Sequence, residues 1–256
     1  MSRSRLDRRA FLRGAALLPL ASATLFPARS ARAIGERSHV GIGHLKHGGT
    51  WGSRPEALRR LLWETGKRTS IHVARDATPL SPDEDELFLQ PFLVMSGEGG
   101  FPPLSEPQRA RIQRHLRFGG MLWIDAPSPG DAFARDARRE IAALLPKEEL
   151  LPLDREHVLF KSYFLLEHAF GRTLDEKRAF AVRLADRVAV LLTECDVLGA
   201  YERDRFGTWR FECVPDGERQ RERAFRFGVN VLMYATCLDY KADQVHIPFI
   251  MKKARR

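Results

Sequence analysis

Pro91 to Met95 is a run of five apolar residues without alternation, and Ser96-Gly97-Glu98-Gly99-Gly100 breaks it off in a glycine-rich loop carrying one carboxylate. A half-exposed strand would alternate apolar with polar residues, so this run suits a strand covered on both faces, as in a parallel sheet flanked by helices. The loop then lies at the carboxyl end of that strand, where open α/β sheets form their ligand crevices. Two further runs repeat the signal. Met121-Leu122-Trp123-Ile124 ends in Asp125-Ala126-Pro127, and Val188-Ala189-Val190-Leu191-Leu192 ends in Thr193-Glu194-Cys195-Asp196.

Helical patterns fall between the strands. His39 to Leu45 reads as a first strand, and Ser53 as the cap of a helix with Pro55 near its first turn, Glu56 three residues after the cap, Leu58, Leu61 and Leu62 inward and Gly66 at its end. Ser70 to Ala74 reads as a second strand, followed by a surface loop from Asp76 to Asp85. Ser105, with Glu106, Pro107 and Gln108 after it, caps a helix with Ile112, Leu116 and Phe118 on its apolar side and Gly119-Gly120 at its end. Phe133 to Leu145 is a third helix, and Arg221 to Leu238 a long C-terminal one. The stretch 146–187 is irregular and reads as an insertion, and Tyr201 to Gln220 as a hairpin or lid. The order predicts a doubly wound, mostly parallel five-stranded α/β sheet with helices on both faces.

The N-terminus reads as an address. Asp7-Arg8-Arg9-Ala10-Phe11-Leu12-Arg13 precedes a short apolar run and Ala31-Arg32-Ala33. This is the layout of a twin-arginine signal peptide over 1–33, cleaved after Ala33 and delivering a folded chain to the periplasm or beyond. The apolar run is too short to span a membrane. The leader holds seven of the chain's 42 Lys+Arg and one of its 33 Asp+Glu, so the rest carries 35 against 32. A single domain over 34–245 is therefore close to neutral, before a basic tail over 246–256, and bears no nucleic-acid footprint. Cys195, Cys213 and Cys237 have no CxxC spacing; in an oxidising compartment one pair could bridge, or all could be small buried hydrophobes.

Parallel strands point their carboxyl ends the same way, so their trailing loops converge. The predicted crevice gathers His44, His47, Gly48, Gly49 and Trp51 after the first strand, and Ser96, Gly97, Glu98 and Gly99 after the run that opens this section. Asp125 comes from the next strand, and Glu194 and Asp196 from the last. Glu98, Asp125 and Asp196 are the candidate catalytic acids, since crowded carboxylates raise one another's pKa. His44 and His47, with Glu98 or Asp196, could hold a divalent metal such as zinc through nitrogen and oxygen ligands. The glycine pairs fit neither a GxGxxG nor a Walker spacing, which disfavours a nucleotide. Ser96 lacks the leading glycine of a GxSxG elbow.

Three stretches together resemble an uncharacterised bacterial family, the domain of unknown function numbered 4159: His47 to Trp51, Phe92 to Gly99, and Phe118 to Asp125. His157 to Tyr163 and Phe225 to Ala235 are similar to it as well, and the likeness spans about Val40 to Lys241. It implies a class I glutamine-amidotransferase-like, flavodoxin-like fold. Such amidotransferases hold a nucleophilic Cys where this chain has Asp125, and a carboxylate cannot form the thioester, which excludes glutaminase activity. A His that the likeness leads one to expect in the glycine-rich turn is Glu98 here. Two readings follow: a non-catalytic module binding an envelope glycan, envelope fragment or protein partner, or a carboxylate- or metal-dependent hydrolase of a polar envelope substrate. A structural subunit of a membrane-associated assembly is a third.

Overall fold

The computed structural model describes residues 39–236, and the expected signal peptide over 1–33, Cys237 and the expected basic tail lie outside the described residues. Strands β1 (Gly43–Leu45), β2 (Thr78–Leu80), β3 (Phe92–Ser96), β4 (Met121–Asp125), β5 (Leu151–Pro152), β6 (Phe180–Leu184) and β7 (Arg187–Thr193) form one sheet in the order β2-β1-β3-β4-β7-β6-β5. From β2 to β7 every neighbouring pair is parallel; β6 and β5 are added antiparallel at the far edge. The helices are α1 (Ala57–Arg68), α2 (Glu106–Arg117), α3 (Ala132–Leu144) and α4 (Gly217–Thr236). None of them is long and apolar enough to cross a membrane.

The continuous apolar runs feed two cores at once, because successive side chains leave a strand on opposite faces. Phe92, Val94, Met121, Trp123 and Leu191 join α1 and α4 on one face. Leu93, Met95, Leu122, Ile124, Val190 and Leu192 join α2 and α3 on the other. Trp123 is fully buried, with its ring centroid 6.4 Å from that of Phe92 and 6.3 Å from that of Phe227, and its indole N–H donates to Thr193 Oγ1 at 2.8 Å. That bond meets the polar need of a buried Trp and fixes the Thr193 hydroxyl beneath the sheet's carboxyl rim.

The expected five-stranded sheet is corrected to seven strands. The stretch 146–187, read as an insertion, supplies β5 and β6, and β6 pairs with β7 along its whole length. The β6–β7 turn is Ala185-Asp186, with Ala185 at φ 52°, so the hairpin carries none of the Asn-Gly or Asp-Gly signal that marks such turns. Ser70–Ala74 forms only a single parallel bridge, between Val73 and Val40, and the second strand lies instead at Thr78–Leu80 inside the expected loop. Pro79 hid it, since proline argues against a strand unless the strand is at an edge, as β2 is.

The caps divide. Ser105 caps α2 as expected and forms a capping box with Gln108, whereas Phe118, expected on the apolar side of that helix, is its C-terminal cap and stands exposed. Ser53 does not cap α1, which starts later; the Glu202 carboxylate accepts from Glu56 N at 3.1 Å there. Gly66 lies inside α1 instead of ending it. From 202 to 216 the chain is a loop with one antiparallel bridge, Arg203 to Trp209, that leads into α4.

Candidate functional site

β1 and β3 are neighbours, yet their connections leave in opposite directions: β1 leads through α1 to β2, and β3 through α2 to β4. At such a switch the two trailing loops part and leave room between them. Here they are joined by a bridge between Thr50 and Glu98. His44 on β1 places Nε2 3.3 Å from Ser96 Oγ at the end of β3. His47 Nε2 lies 3.0 Å from the Ser96 carbonyl, and its Nδ1 accepts from Gly49 N at 3.1 Å. Accepting at Nδ1 leaves the proton of a neutral imidazole on Nε2, which donates to Ser96 O. Burial, aided by His47, lowers the His44 pKa to about 4, and burial also lowers that of His47, so both rings are neutral at pH 7. Trp51 meets His44 edge-on at 5.2 Å. Gly97 is glycine because a Cβ there would come within 2.8 Å of His47 Nε2 and 2.9 Å of Phe133; Gly99, at φ 70°, turns the loop back.

A second cluster adjoins the first through Glu98. Arg54, just ahead of α1, donates from Nη1 to Glu98 and from Nη2 to Asp196 at 3.3 Å. Arg172 donates to the other oxygen of Asp196, and Gly199 N to its Oδ1 at 3.1 Å. Both guanidinium groups lie over Phe211, at 4.6 Å for Arg54 and 5.6 Å for Arg172. Asp196 sits at φ 53°, a region Asp tolerates better than most residues, and its backbone N donates to Ala126 O at 3.0 Å. That bond ties the loop after β7 to the loop after β4.

Asp125, the last residue of β4, is sealed in behind this pair. Its Oδ1 accepts from Thr193 Oγ1 at 2.7 Å and Val197 N at 3.1 Å, and its Oδ2 from Leu198 N at 2.7 Å. Burial, then the neighbouring Asp196 charge, raises its pKa to about 7 against the pull of those three donors.

Glu98, Asp125 and Asp196 therefore share one rim, and His44, His47, Ser96 and the glycine loops stand beside them. Glu194 does not join. It turns to the other face and takes a two-pronged bond from Arg138 of α3 at 2.8 and 2.6 Å. Among the described residues no three His, Cys, Asp or Glu side chains are placed to hold a metal ion. Cys195 and Cys213 are free buried thiols whose pKa burial raises, the inert kind. Arg54, Arg172, Phe211 and Thr193 were not among the residues expected at the site. Arg54 looks like an ordinary helix-leading residue, and Arg172 and Phe211 lie in stretches with no legible periodicity.

No curated protein matches the chain. The family model described as "Domain of unknown function (DUF4159)" matches residues 41–236, which takes in all seven strands, all four helices and every rim residue described above. The chain belongs to the DUF4159 family.

Proposed function

We propose that the rim is a recognition surface of an exported, non-catalytic domain, and that it holds a glycan, an envelope fragment or a protein partner at the carboxyl edge of the sheet. The observation that carries this reading is the saturation of the rim acids. Asp125 is occupied by a hydroxyl and two amides, and Asp196 by two arginines and an amide. A general acid or base must reach a substrate proton directly or through one water. Of the three rim acids only Glu98 is exposed, and it is paired with Arg54. The run β2-β1-β3-β4-β7 is the flavodoxin-like 2-1-3-4-5 order, which supports an amidotransferase-like ancestry with β6 and β5 appended. Asp125 in place of the expected thiol fits a domain of that kind without glutaminase chemistry. The paired Arg8-Arg9 and the Ala31-Arg32-Ala33 box support a periplasmic or otherwise exported location.

A hydrolase that uses these carboxylates, with or without a divalent metal, is the second reading. The Asp125 pKa of about 7 favours it, because that group exchanges its proton near neutrality. Its 3 % exposure stands against it. A thermal-shift screen of sugars, muropeptides and divalent ions on the processed chain separates the two. A ligand at a hundred times its Kd adds about 2.7 kcal/mol, or roughly 5–10 °C for a domain of this size. A shift with sugars or muropeptides and none with metals is expected. Stoichiometric metal in protein purified from its native compartment would reverse the ranking.

A further inference from the structure

The rim contains a cation whose partner looks like a substitute. Arg54 is 5 % exposed, and its Nε, also buried, has no hydrogen-bond partner. Its Nη2 reaches Asp196 only at 3.3 and 3.4 Å, distances at the long end for a charge-assisted bond, while Arg172 holds the same carboxylate more closely. Arg54's close partner is Glu98, whose side chain is 46 % exposed. A buried guanidinium thus has as its main counter-charge a carboxylate that stands in solvent, on a loop flanked by Gly97, Gly99 and Gly100.

The geometry points to Arg54 as the anion-recognition group of the rim, with Glu98 as a built-in stand-in that a ligand carboxylate displaces. This rests on the rim being a binding surface and adds the chemical class of what binds: an acidic sugar or another carboxylate-bearing envelope fragment. Four features support it. The guanidinium is held flat by Phe211 and Asp196, so its open edge is already oriented before a ligand arrives. Glu98 can leave by side-chain rotation alone, because the Thr50 bridge holds only its backbone. When it leaves, Arg54 and Arg172 share the single Asp196 carboxylate, so the cluster gains net positive charge. Finally, the loop bridged to Glu98 carries a further cation, with Lys46 Nζ 5.7 Å from the centroid of the half-buried Trp51 ring. The competing carboxylate lowers apparent affinity by the fraction of molecules in which Arg54 is free.

The test uses Glu98→Ala and Glu98→Gln in the processed full-length chain. Isothermal titration is run with N-acetylmuramic acid, its neutral counterpart N-acetylglucosamine, and acetate. Removing the stand-in is expected to tighten N-acetylmuramic acid and acetate by about tenfold in both variants and to leave N-acetylglucosamine unchanged. Arg54→Lys in the Glu98→Ala background should cancel the gain, since an ammonium lacks the two-pronged edge. Equal affinity of wild type and both Glu98 variants for the acidic probes overturns the proposal. If N-acetylglucosamine binds as well as the acid throughout, the rim remains a binding surface and only the carboxylate preference is lost. If no probe binds either Glu98 variant, the anion site is refuted, and the broader reading then stands or falls on the sugar and muropeptide screen.

Discussion

Replacing Asp125 by Asn removes a titration that is predicted to set the pH dependence of folding. The native pKa of about 7 lies above the ordinary value of 3.8. Between those two values the unfolded chain has released the proton and the native chain still holds it, so stability falls as pH rises. The gap of about three units corresponds to roughly 4 kcal/mol, lost at about 1.4 kcal/mol per pH unit. The buried histidines act in the opposite sense. His44 and His115 have native pKa values of about 4 against 6.5 unfolded, so each costs stability as pH falls from 6.5 toward 4. The wild-type profile alone therefore mixes rising and falling arms, and the difference between wild type and Asp125→Asn isolates the carboxylate. Asn carries its own cost. Val197 N and Leu198 N donate to different oxygens of Asp125, so one of them would face the amide NH2, a loss of about 1–3 kcal/mol that does not vary with pH. Urea unfolding of both proteins from pH 4 to pH 8 is the assay. The wild-type advantage should shrink by several kcal/mol across that range. A difference that is flat, or that grows with pH, would refute the reasoning and mean that the three donors hold Asp125 ionised.

Two further outcomes follow from buried polar groups. Asn230 of α4 is fully buried, accepts from Tyr163 N and Phe164 N, and donates to Phe164 O at 2.8 Å. Asn230→Ala should cost about 3 kcal/mol and, in hydrogen exchange, speed the amides of Tyr163 and Phe164 more than those of β3. Arg138→Ala leaves the Glu194 carboxylate, 3 % exposed, without its cation; since Arg138 is itself partly exposed, the cost should be about 2 kcal/mol by denaturant titration, with rim ligand binding unchanged.

What could be read from the sequence divides along physical lines. Phe92–Met95, Met121–Ile124 and Val188–Leu192 were legible because burial on both faces suppresses polar residues altogether, and the Ser105 cap because capping is a local bond. β6 was not, because Phe180-Ala181-Val182 lies among Lys177, Arg178 and Arg183 and its turn lacks glycine. The convergence of Glu98, Asp125 and Asp196 followed from strand polarity alone. Their neutralisation did not, because Arg54 and Arg172 reach Asp196 across 142 and 24 residues of chain, and no local pattern marks which of the many arginines does so. Glu194 was misplaced for a related reason. It lies one residue past β7, and consecutive side chains there point to opposite faces.

The two outermost strands each contain a proline, Pro79 in a three-residue β2 and Pro152 in a two-residue β5. A ring nitrogen offers no amide hydrogen, and so short a ladder gives a neighbouring molecule almost nothing to zip onto. Among the described residues, neither flank of the sheet therefore favours edge-to-edge extension into a fibre, which leaves the helical sides and the loops as the better surfaces for self-association.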